Sequence, residues 1–231
     1  MNQTVISGDI IASTGLSSAG RDYIEVKLKE LIKELNRDYI AFGRILKGDY
    51  LECVVNLPED ALLVALIIKS FVKSVSDNEI MKDGNSKRFK LFRTYGIRLA
   101  IGFGELSRFD PKKEIIDGEA IYLSGRKINE EATYNKERIV IKNTLFFISN
   151  DNELNNEIEP LIELIDVLMA KATARQCEIL YYKLKNNTEE TISKKLGIAQ
   201  STVNQHSTGI GWNAIEKAVK RFNQVIQKNQ L

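Results

Sequence analysis

A tight reversal at Gly48-Asp49 separates two apolar runs, 39–46 and 50–56, and a helical segment stands on either side of the pair. Glycine gives the backbone the freedom a short turn needs, so the two runs read as an antiparallel hairpin. Before them, Ile24, Leu28, Leu31, Ile32 and Leu35 recur at helical spacing within 18–37. After them, Pro58-Glu59-Asp60 opens a helix over 59–76 that is apolar on most sides, the pattern of a well-buried helix. Residues 4–11 supply a first strand. Tyr95 to Leu106 supply a later one, with Ile97, Leu99, Ile101 and Phe103 on one face. A hairpin held between two helices, in the order βαββαβ, predicts an α+β sheet with helices on one face.

The remainder of the first 150 residues reads as a polar loop over 77–92, a loop through Pro111, a helix over 118–132 and short strands at 138–142 and 145–149. Residues 152–169 carry Leu154, Ile158, Leu161, Ile162, Ile165 and Leu168 at helical spacing. This helix is either a connector or dimerisation element, or a cap on the part before it. Charge marks a boundary here although the chain's net charge is only +2. Residues 151–170 hold six acids and no Lys or Arg, whereas 171–231 hold ten Lys or Arg against Glu178, Glu189, Glu190 and Glu216. The chain therefore divides into 1–150, a connector over 151–173 and a basic terminal module over 174–231. A small basic module points towards nucleic acid.

With 43% hydrophobic and 28% charged residues, the composition is that of a soluble protein with a proper core. The longest apolar stretch, 61–68, is far short of the roughly 20 residues a membrane span needs. No basic and apolar leader precedes the first strand, so no signal peptide is visible. Cys53 and Cys177 lack metal-ligand spacing and read as reduced packing residues, which places the protein in the cytoplasm.

Within the terminal module, Thr188 can cap a helix that contains Ile192 and Leu196 and ends at Gly197. A further helix starts at Gln200-Ser201-Thr202-Val203-Asn204-Gln205-His206. This is the pattern of a helix-turn-helix. Ser201, Thr202, Asn204 and Gln205 are the candidates for base contacts, and Lys194 and Lys195 for phosphate contacts. Trp212 and Ile215 would seat a closing helix on it. The alternative is a helical interaction module that never touches DNA.

Asp9 and Asp49 each close a strand read as buried. A carboxylate there needs a partner, and two that converge suit a divalent cation that leaves room for phosphates. Gly-Asp is also ordinary turn chemistry.

Taken together, four motifs resemble the catalytic domain of class III nucleotidyl cyclases, a palm-like fold. They are Val5-Ile6-Ser7-Gly8-Asp9, Leu46-Lys47-Gly48-Asp49-Tyr50, Ile97 to Glu105 with its Gly-Glu end, and Gly118 to Arg126. Joined to the terminal helix-turn-helix, the whole chain resembles the SatD family. The resemblance implies that Asp9 and Asp49 bind Mg²⁺, or Mn²⁺ in its place. It also implies that backbone amides around Ile11 and Ser13 cradle phosphate oxygens, that Arg126 holds a polyphosphate, and that the chain is a head-to-tail homodimer with metal and arginine on opposite subunits. The pattern departs from the family at three places: Tyr122 stands where the transition-state asparagine is expected, Ile45 where the base-selecting lysine is, and Ile115 where its acidic partner is, with Asp117 close by. The expected function is a DNA-binding regulator whose cyclase-like domain binds a nucleotide or polyphosphate. The alternative is an active nucleotide-processing enzyme, a cyclase or transferase, recruited or controlled by its terminal module.

Overall fold

The computed structural model describes residues 1–76, 80, 86–131 and 141–230. Strand β1 (Gln3–Ile10) is the spine of a five-stranded sheet. Helix α1 (Ser18–Asp38) follows, capped by the Ser17 hydroxyl, which accepts from the Gly20 amide at 2.8 Å. The hairpin of β2 (Ile40–Leu46) and β3 (Tyr50–Val55) comes next, then α2 (Ala61–Ser74), α3 (Lys87–Tyr95) and β4 (Ile97–Gly104). A separate two-stranded hairpin, β5 (Leu106–Asp110) with β6 (Ile115–Gly118), leads into α4 (Glu119–Glu130), and β7 (Leu145–Ile148) completes the sheet. The order across the sheet is β2-β3-β1-β4-β7. All neighbours are antiparallel except β4 and β7.

Alternation along β1 divides the molecule. Ile6 and Ile10 join the large core with Leu28 and Leu31 of α1 and Leu62 and Leu66 of α2. Val5 faces the other way, onto Val54 and Ala120 of α4. Helices therefore lie on both faces of the sheet, which corrects the expected one-faced arrangement. The physical reason is Gly102, where a Cβ would lie 2.1 Å from the Ala120 carbonyl oxygen, so only glycine lets α4 approach β4 this closely.

Three further expectations change. Residues 87–95, read as part of a polar loop, form α3, because the Ser86 hydroxyl caps it and Phe89 and Phe92, one turn apart, are buried. The strand expected from 95 to 106 breaks at Glu105 into β4 and β5. Of the strand expected over 138–142, residues 138–140 lie outside the described residues, and 141–142 are not in a strand.

Helix α5 (Asn152–Lys171) packs on β7, burying Leu154, Ile158, Ile162, Ile165 and Met169. It also delivers Asp166, a buried acid, to the sheet. Asp166 accepts from the Thr144 hydroxyl at 2.8 Å, the Thr144 amide and the Leu145 amide at 3.2 Å. Fully buried Lys69 of α2 lies 3.3 Å from the same carboxylate, and donates to Thr144 Oγ1 at 2.7 Å and the Ile97 carbonyl at 3.0 Å. One lysine thus ties α2, β4 and α5 together.

The last four helices are α6 (Ala174–Leu184), α7 (Glu189–Leu196), α8 (Gln200–Gly209) and α9 (Trp212–Lys228). Ile179, Ile192 and Val203 form a small core of their own among α6, α7 and α8. Cys177 and Leu180 of α6, with Ile215, Phe222 and Ile226 of α9, instead join the large core. The apolar interior is thus continuous across residues 151–173.

Candidate functional site

β1 and the β2–β3 hairpin bring Asp9 and Asp49 to one end of the sheet. Asp9 stands opposite Tyr50 in register, and the amide of Ile10 donates to the Asp49 carbonyl at 3.0 Å. The hairpin turns through Lys47 and Gly48, both with positive φ (53° and 81°), a conformation unusual for lysine. Ser13 lies in the short turn after β1 and donates from its hydroxyl to Asp49 Oδ2 at 3.0 Å.

Asp9 is answered by Arg98, its cross-strand partner on β4. Arg98 Nη1 reaches the two Asp9 carboxylate oxygens at 3.2 and 3.1 Å. Burial nevertheless raises the Asp9 carboxyl above its ordinary range. Arg98 opposes that shift, and the nearby Asp49 charge adds to it. Arg98 itself is buried, and its Nε has no hydrogen-bond partner among the described residues. Sequence reasoning passed over Arg98. Its signal was a lone cation inside the apolar strand 97–103, which requires a buried acid beside it.

A cleft of about 340 Å³ opens beside this end of the sheet. Its walls include Ser13 and Thr14, Arg21 and Glu25 of α1, and Lys47 and Asp49 of the hairpin. Asp9 does not line it, being engaged with Arg98. Among the described residues no group of three or more His, Cys, Asp or Glu could hold a metal ion. Two carboxylates suit Mg²⁺ all the same, since that ion keeps several waters and is held by one or two carboxylates plus phosphates. Asp9 and Asp49 are the residues that could hold such an ion.

The other expected phosphate groups are placed differently. The Ile11 amide donates to the Gly96 carbonyl at 3.0 Å, so it is committed to the fold, whereas Ser13 reaches the site through its hydroxyl. Arg126 is exposed on α4 and does not line the cleft. Tyr122, one turn earlier, is 59% exposed and donates its hydroxyl to Asp117. Behind it, beside the apolar contact of Ala120 with Val5, Ser124 of α4 and Ser7 of β1 share a buried hydrogen bond of 2.8 Å.

In the terminal helices Thr188 caps α7, accepting from the Thr191 amide at 3.2 Å, and Gly197 closes it with φ 63°. Val203 and Ser207 of α8 point inward, while Ser201, Asn204 and Gln205 are exposed and Thr202 is half-buried. Lys194 pairs with Glu190 at 2.6 Å. Lys195 donates to Asn187 at 3.0 Å and lies over the Tyr182 ring.

Compared with known protein families, curated proteins and solved structures, the chain matches none. No helix is long and apolar enough to cross a membrane among the described residues.

Proposed function

We propose that the chain is a cytoplasmic DNA-binding regulator, working as a homodimer, whose α+β part binds a nucleotide together with Mg²⁺ or Mn²⁺. The observation that carries this reading is that β1 and the β2–β3 hairpin bring Asp9 and Asp49 to one end of the sheet, Asp49 lining the cleft and Asp9 close enough to feel its charge, the two positions to which the cyclase-like motifs would give a metal. The sheet order is compatible with it, since β3 lies between β2 and β1 and so the hairpin that carries Asp49 pairs directly with the strand that carries Asp9. When bound, the metal would neutralise phosphate charge. The protein's own part is to hold Asp9 through Arg98 and Asp49 through Ser13.

The DNA half of the reading rests on α7 and α8. The glycine turn between them and the exposed row Ser201, Asn204, Gln205 on α8 suit a helix-turn-helix with α8 in the major groove. Its surface ion pair with Glu190 leaves Lys194 free to retarget to a phosphate, because such exposed pairs are weak.

The second reading, an active nucleotide-processing enzyme, draws on the size of the cleft, which falls within the range of small-molecule sites. Tyr122 weighs against it, standing in place of the transition-state asparagine and hydrogen-bonded to Asp117.

Thermal-shift titration of the full chain with ATP and GTP, with and without Mg²⁺, tests the proposal. A ligand at one hundred times its Kd stabilises by about 2.7 kcal/mol, and that gain should require the metal. Asp9→Asn and Asp49→Asn should each abolish it. Nucleotide binding at wild-type strength by both variants would place the site elsewhere.

A further inference from the structure

Two cations line the cleft beside Asp49, and the expected phosphate groups include neither. Arg21 projects from the first turn of α1 and Lys47 from the tip of the β2–β3 hairpin. The two stand on different elements of one chain. Among the described residues, neither has a hydrogen bond or ion pair to another side chain. A third cation is near: Arg88 of α3 donates to Thr14 Oγ1, on the cleft wall, at 2.8 Å.

The acids of the cleft decide what these cations can take. Asp22, Glu25 and Asp49 also line it and outnumber Arg21 and Lys47. Glu25 is already held by Lys29 at 2.6 Å, which leaves Asp49 and Asp22 facing the open space. A bare polyphosphate would meet carboxylates as well as cations. A divalent ion on Asp49 turns that balance in favour of an anion.

We propose that the cleft binds a metal–polyphosphate, the triphosphate of a nucleotide or its inorganic equivalent, and that Arg21 and Lys47 of the same chain hold the phosphates farther from the metal. The inference rests on Asp9 and Asp49 being the metal-binding pair, and goes beyond it in making the phosphate site complete within one chain. Arg21 stands on α1 and Lys47 and Asp49 on the hairpin, so a ligand with several linked phosphates can engage more of these groups than a single phosphate can. A single phosphate reaches the metal alone.

Isothermal titration of the full chain with inorganic tripolyphosphate and with orthophosphate, each with and without Mg²⁺, tests this. Wild-type protein should bind tripolyphosphate only with Mg²⁺ and orthophosphate far more weakly. Arg21→Gln and Lys47→Asn should each weaken tripolyphosphate binding about tenfold, the small end for a charge-assisted phosphate contact. Asparagine is chosen at 47 because it tolerates the left-handed backbone. Arg126→Gln should bind as wild type does. Both cleft variants binding at wild-type strength would overturn the inference, as would equal binding without metal or a matching loss in Arg126→Gln. If Asp9→Asn and Asp49→Asn eliminate binding while Arg21→Gln and Lys47→Asn do not, the inference fails alone. If the two aspartate variants bind normally, the metal reading fails with it.

Discussion

Removing the Asp166 carboxylate should destabilise the fold more than removing the Lys69 ammonium it faces. Both side chains are almost wholly buried, at 6% and 0% exposed, so solvent does not soften either loss. Asp166→Ala takes from Lys69 its one carboxylate partner among the described residues and leaves the Thr144 and Leu145 amides without their acceptor. Breaking a buried pair costs about 3–5 kcal/mol, and the orphaned amides put this variant at the upper end. Lys69→Met leaves Asp166 with both amides and the Thr144 hydroxyl, so its charge stays hydrogen-bonded. Its cost should be about 2–3 kcal/mol, smaller because fewer polar groups lose a partner. Against a total stability of about 5–15 kcal/mol, both should be plain in urea unfolding followed by circular dichroism and by Trp212 fluorescence. Equal costs, or a larger cost for Lys69→Met, would refute the view that Asp166 acts mainly as the cap of β7.

Lys73 donates to the carbonyls of Thr94, Met169 and Ala170, and burial lowers its pKa to about 8, with Lys69 and Arg93 adding and Cys177 and Asp166 opposing. Between that value and the ordinary 10.5 the unfolded chain binds the proton and the folded one does not, so this group's contribution to stability rises with pH. Urea midpoints at about pH 7.5 and 9.5 should therefore rise more in wild type than in Lys73→Met, with parallel behaviour counting against it. In fluorescence anisotropy with duplex DNA, Lys194→Ala or Lys195→Ala should weaken binding to all sequences and flatten its salt dependence. Asn204→Ala or Gln205→Ala should instead relax sequence preference, and no salt-sensitive binding at about 50 mM salt would defeat the DNA reading. With ATP or GTP and Mg²⁺ or Mn²⁺ the purified protein should form no cyclic nucleotide at a useful rate, since losing one transition-state donor costs roughly 10²–10³ in rate. Robust product by chromatography would promote the enzyme reading.

Periodicity made much of this fold legible. The spacing of Ile24, Leu28, Leu31 and Leu35 and the Gly48 reversal correspond to α1 and to the β2–β3 hairpin, and Thr188 caps the helix it was expected to cap. What was illegible depended on partners distant in sequence. Lys87, Arg88, Lys90 and Arg93 mask the two phenylalanines that bury α3. Gly102 gives no sign in one dimension that a helix will lie against it. Asp166 counted only as one negative charge among six, and its burial was illegible because its partner Lys69 sits nearly a hundred residues away in a helix that looked apolar. At the site, strand ends marked Asp9 and Asp49, but Arg98, Arg21 and Lys47 required knowing which strands are neighbours and which turns face α1.

The place of α9 has a consequence for how the chain is made. Its Asn223 and Gln227 reach back to Asp60 and Glu59, at 3.4 and 3.0 Å, and its Phe222 packs edge-on to Phe147. On a ribosome the sheet and α2 emerge before residues 212–228 do, so apolar surface destined for α6 and α9 stays uncovered until those helices follow. Contacts this far apart in sequence also close slowly. Truncation within α9 should therefore yield a protein that aggregates rather than one that merely lacks its last helix.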